Sequence, residues 1–155
     1  MMKQLVIFLG SSIFILGLMG CQGLSQADLP KSDVDVIVEG GEEFPETLAG
    51  TWKANEQGWE IVFEPNGVIS SAVHTLGRIR MKPNQVTKMP MKGQGEGVFE
   101  CGVWTVYYKP DNRELTVEIV VENFRAELGS GLLEGSSLDV FIGPVSEDGN
   151  TWWAE

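Results

Sequence analysis

Trp59-Glu60-Ile61-Val62-Phe63-Glu64-Pro65-Asn66-Gly67-Val68 carries the strongest structural signal in the chain. Trp59, Ile61 and Phe63 recur with period two while Glu60 and Glu64 fall between them, the pattern of a strand with one face in a core and the other in water. Pro65-Asn66-Gly67 interrupts the run, and Asn66-Gly67 tolerates the positive φ of a tight reversal, so a hairpin is expected. Val68 to Thr75 then returns as a second strand. Beyond a bend at Gly77, Ile79 and Met81 alternate with Arg78, Arg80 and Lys82.

The same period continues towards the C-terminus. If Val98 to Tyr108 is one extended segment, Phe99, Cys101, Val103, Thr105 and Tyr107 share one face, and Trp104 and Val106 make the other apolar too. Pro110-Asp111-Asn112 supplies a turn, after which Leu115, Val117, Ile119 and Val121 line one face against Glu114, Thr116 and Glu118. Leu138-Asp139-Val140-Phe141-Ile142 is a further two-sided strand. The 19 glycines and the lack of a sustained helical period make the chain all-β. The expected architecture is a single antiparallel barrel of about eight strands, because closure pairs edges that would otherwise be exposed; a β-sandwich is the alternative.

The N-terminus has a different character. Lys3 gives a positive start, Leu5 to Gly20 is an uncharged apolar run, and Cys21 follows a small residue, the proportions of an export signal. The run is too short for the ~20 residues of a permanent membrane span. The chain therefore divides into a signal at 1–20, a tether with an edge strand over Asp33 to Val38 at 21–46, and a folded domain at 47–155. Removing the first 20 residues leaves 135, enough for one core.

Leu18-Met19-Gly20-Cys21 resembles a bacterial lipoprotein box. That resemblance implies cleavage before Cys21, lipid attachment through its sulfur and acylation, such as with palmitate, of the new terminus. Gln22 lacks the aspartate that the family associates with inner-membrane retention, which points to the outer membrane where a cell has two. Lipidated, Cys21 is no disulfide partner for Cys101. Leu48-Ala49-Gly50-Thr51-Trp52, followed by the Trp59 strand, resembles the opening of lipocalins and the wider calycins. This implies that Gly50 and Trp52 close a barrel beneath a ligand cavity, with Arg125 the candidate to pack over the tryptophan.

The formal charge of -11 disfavours nucleic acid. His74 has no local nucleophile and base beside it, Cys101 reads as a buried thiol, and Met81, Met89 and Met91 read as packing groups among Arg78, Arg80, Lys82, Lys88 and Lys92. No catalytic residue, metal or cofactor is expected. Trp104, Tyr107 and Tyr108 are the candidate walls of a small-molecule cavity. The expected function is thus a membrane-tethered barrel that binds an apolar or amphipathic small molecule. Its alternative is a non-enzymatic structural or protein-interaction module of the cell envelope, docking through the basic face or through Trp152-Trp153.

Overall fold

In the computed structural model, the described residues are 3–7, 33–55, 58–74, 79–90, 95–128 and 131–155. The expected signal's apolar run beyond Ile7, the lipobox-like motif with Cys21, Thr75, the Gly77 bend, Arg78, Met91 and Lys92 lie outside them. Twelve strands form among the described residues: Lys3–Ile7 (β1), Val34–Val38 (β2), Gly50–Ala54 (β3), Glu60–Phe63 (β4), Ile69–His74 (β5), Ile79–Met81 (β6), Val86–Pro90 (β7), Glu96–Cys101 (β8), Trp104–Lys109 (β9), Glu114–Leu128 (β10), Gly131–Pro144 (β11) and Thr151–Ala154 (β12).

The Trp59 hairpin forms as β4 and β5, with Ile61 and Phe63 buried. Its turn takes positive φ at Gly67 alone, 84°, and Glu64 accepts from the Gly67 N–H at 2.9 Å. A Cβ on Gly67 would lie 2.7 Å from the Phe44 ring, so the glycine serves packing as well as the turn.

β3, β4, β5 and β6 are successive antiparallel neighbours in one sheet, whose order is β12-β1-β3-β4-β5-β6. β1 runs parallel to both its neighbours. In the second sheet β10 is the axis. β11 pairs along one of its edges, and β9 then β8 pair along the other. β2 lies parallel beside β9, and β7 antiparallel beside β8.

This architecture corrects the expected fold. The second sheet is an open half-barrel whose edges stand 15 Å apart, and the first is unclosed. Among the described residues there is no single eight-stranded, lipocalin-like or calycin-like barrel. Closure demands an unbroken, regularly staggered ladder around the circumference. Here the sheets meet through short seams. Ile142 and Glu155 exchange backbone hydrogen bonds at 2.9 and 3.4 Å, and Val145 bridges Trp152. At the other side, the Thr87 hydroxyl reaches the Arg80 carbonyl at 3.4 Å.

The expected Val98–Tyr108 strand is also divided. Cys101 and Trp104 are both buried although three residues apart, so the inward phase flips across Gly102-Val103. β10 answers with an irregularity of its own between Val121 and Asn123. A Cβ on Gly102 would lie 2.8 Å from Glu122 Oε1.

Side chains fill the space between the sheets. Trp52, Trp104 and Trp152 are fully buried, and Trp59, Phe141, Trp152 and Trp52 form a chain of edge-on rings with centroids 5.3 to 6.2 Å apart.

Candidate functional site

The residues expected to wall a cavity occupy different places. Alternation along β9 turns Trp104, Val106 and Tyr108 into the core and Thr105, Tyr107 and Lys109 away from it. Trp104 donates its indole N–H to the Val120 carbonyl at 3.1 Å, and Tyr108 meets Phe44 edge-on. Tyr107 lies on the opposite face, under the Lys109 ammonium 5.6 Å from its ring. Trp52 hydrogen-bonds the Leu48 carbonyl at 2.8 Å. Gly50 has φ 116°, in the region that favours glycine. The cation over Trp52 is Lys3, at 5.1 Å, whereas Arg125 pairs with Glu134 at 3.5 Å. Since no barrel cavity is enclosed, the expected barrel-mouth small-molecule site is overturned. The interior volume that such a ligand would need is taken by indole and phenyl rings.

An open groove of about 740 Å³ lies beside β2, lined by Val36, Ile37, Val38, Glu42, Phe44 and Asn66. It is wide and its acidic rim faces water, unlike the enclosed apolar clefts that hold small molecules. At the far end of the core His74 rests edge-on against Trp59, 4.7 Å between centroids. Asp139 faces the same space: burial raises its carboxyl pKa, while His74 and a hydrogen bond from Ser137 lower it. Ser137 thus engages the carboxylate rather than the imidazole, which is not the order of a hydrolytic triad. Among the described residues, no three His, Cys, Asp or Glu side chains converge as a metal site. The basic face is largely paired: Arg80 and Lys53 share Glu60, and Lys88 lies 3.9 Å from Glu96.

The feature with recognition chemistry is the outer face of β11. Leu138, Val140 and Ile142 are the apolar side of this strand, yet they point to solvent, 59%, 42% and 42% exposed. Phe141 and Gly143 are buried and Asp139 is half-buried, whereas Ser137, on the same side of the strand, is exposed. The cross-strand register enforces the inversion, because residues directly opposite share a face. Leu115, Val117 and Ile119 of β10 are buried, so their partners Gly143, Phe141 and Asp139 must also face the core, and only Ser137, opposite the buried Val121, is exposed at the end of that face. Thr116 and Glu118 then accompany Ile142 and Val140 on the outer face, while Val120, opposite Leu138, is half-buried against the core.

The seam extends this stripe. Pairing of Val145 with Trp152 and of Ile142 with Glu155 sets Trp153 opposite Pro144. Trp153 is 41% exposed, while the neighbouring Trp152 is buried and donates to the Gly143 carbonyl at 3.2 Å. The Trp152-Trp153 pair therefore splits into a core residue and a surface residue. Leu138, Val140, Ile142 and Trp153 form an apolar line flanked by Glu118 and Thr116. Sequence reading identified Trp153 but missed the aliphatic three, since a greasy strand face reads as core. The available signal was Asp139 and Ser137 alternating with them, which left no face wholly suited to burial.

Compared with protein-family models, curated proteins and solved structures, the chain matches none. Its function is therefore argued from its own residues.

Proposed function

We propose that this chain is a lipid-anchored, non-enzymatic interaction module of the bacterial cell envelope. It is tethered through Cys21 and docks to a protein through Leu138, Val140, Ile142 and Trp153. The observation that carries the reading is the inverted β11, which presents its aliphatic face to water. A large exposed apolar patch with a polar border is the usual mark of a docking surface. An aromatic residue beside it adds the kind of anchor on which interfaces concentrate their energy.

The charge of the chain favours a protein over a membrane surface as the occupant. With a formal charge of -11, and Glu118 at the margin of the patch, the domain is repelled by anionic headgroups. The Leu18-Met19-Gly20-Cys21 motif supports export and lipidation, and Gln22 after the cysteine supports the outer membrane in a cell with two.

A photo-crosslinking amino acid placed at Ile142 in intact cells tests the interface. The expected result is one discrete adduct with another envelope protein, lost when Leu138→Glu and Val140→Glu are combined in the same chain while its Tm is nearly unchanged. Crosslinks to lipid alone, or an adduct indifferent to the glutamates, would overturn the proposal.

A further inference from the structure

β1 occupies an unusual place. Its residues Lys3 to Ile7 belong to the apolar leader, yet they sit in the middle of a sheet, parallel to β3 on one side and to β12 on the other. Lys3 faces Trp52 in register, Gln4 faces both Lys53 and Thr151, and Leu5 faces both Ala54 and Trp152. Cleavage before Cys21, as the proposed lipidation requires, removes this central strand. The inner edges of β3 and β12 then lose their partners while the rest of the sheet persists. Unpaired backbone N–H and C=O groups at such a depth are costly, and a strand-wide gap is a template for an extended chain.

The core beneath the gap resists its closure. Trp52 and Trp152 sit on the two strands that flank β1, and their rings meet below it, 6.2 Å apart and nearly perpendicular. Each indole is tied to a different element: Trp52 donates to Leu48, and Trp152 to Gly143. Bringing β3 directly against β12 would halve a separation of about 9.6 Å, twice the usual strand spacing, and would strain one of these buried hydrogen bonds. The slot also has a cation subsite. The Lys3 ammonium lies 5.1 Å from the Trp52 ring centre and donates to the Thr47 carbonyl.

We infer that the processed protein carries an open strand slot between β3 and β12, and that it accepts an extended segment of a partner protein, parallel to both edges. The partner segment has a cationic residue over Trp52 and Thr47, followed by apolar residues, the chemistry of the Lys3-Gln4-Leu5-Val6-Ile7 strand that fills the slot in the uncut chain. Backbone pairing on two edges supplies affinity, as in strand addition to sheets generally, and the cation fixes the register. The acidic charge of the domain favours a basic peptide. This site is separate from the outer face of β11, and it rests on the leader being removed.

The test uses processed protein isolated from membranes in detergent, with its N-terminus established by mass spectrometry. The probe is an acetylated, amidated peptide of sequence Lys-Gln-Leu-Val-Ile. Saturable binding is expected, with backbone hydrogen exchange slowed at residues 50–54 and 151–154 and Tm raised by roughly 5 °C at saturating peptide. Replacing the peptide's lysine by glutamate is expected to weaken binding at least ten-fold, and proline in place of its leucine to abolish it. Residues 50–54 and 151–154 already protected without peptide, or protected by pairing with a second copy of this chain, would overturn the slot while leaving the lipid anchor standing. A mature mass that still includes Lys3 would overturn the cleavage reading and the slot with it.

Discussion

Cys101 shows how local environment sets the behaviour of one group. It is buried beside the Gly102-Val103 break, and desolvation pushes its thiol from an ordinary 9.0 up to about 11. The neutral thiol is the form the fold prefers. Its folded pKa exceeds its unfolded one, so its contribution is fully present below pH 9.0 and is lost as pH rises through about 11. We expect Cys101 to resist iodoacetamide at pH 8 in the native protein and to react once the chain is unfolded in denaturant. In the Cys101→Ala variant, the part of the stability loss between pH 9 and 11 that wild type owes to thiolate formation should disappear, as followed by Tm. The sequence supported a small buried thiol at this position. It did not show that the alternation resets immediately after it, since the Cβ-free Gly102 backbone approaches Glu122 in a way only a neighbouring strand defines.

At the scale of the element, β11 and its seam with β12 are the sensitive part. A Cβ on Gly143 would stand 1.7 Å from the Trp153 carbonyl oxygen, and backbone cannot give way as a side-chain tip can. Gly143→Ala is expected to destabilise the domain by about 2 kcal/mol, seen as a fall in Tm and early hydrogen exchange at residues 151–154. The outer stripe behaves differently. Leu138→Glu with Val140→Glu removes exposed apolar surface, so the pair is expected to change Tm little and to abolish the proposed envelope-protein adduct. Strand existence was legible here from period-two patterning, and so was the turn at Pro110-Asp111-Asn112. Which face of β11 enters the core was not. A strand's own hydrophobicity favours Leu138, Val140 and Ile142 inside, but one register of hydrogen bonds moves a whole face at once, and the greasier inner face of β10 fixed that register.

For the whole molecule, the proposed export and lipidation through Cys21 compete with the observed place of Lys3–Ile7 as a strand at the centre of a sheet. Cys21→Ala is expected to abolish palmitate labelling and to leave the protein at precursor mass, with β1 in place. Labelling that persists in this variant would dispose of the anchor. In the processed protein inferred above, Trp52 and Trp152 hold the vacated edges apart.

What the sequence determined by itself was the all-β character, the Trp59 hairpin and the β10 core face, because these depend on residue periodicity. The division into an open half-barrel and an unclosed sheet, the inside-out β11 and the separation of Trp152 from Trp153 were decided only by tertiary structure. Strand order, register and closure are relations between segments far apart in the chain. A short Gly50-Thr51-Trp52 opening is compatible with a barrel but does not contain the pairing of its last strand, and it is that pairing which leaves the two sheets joined by narrow seams.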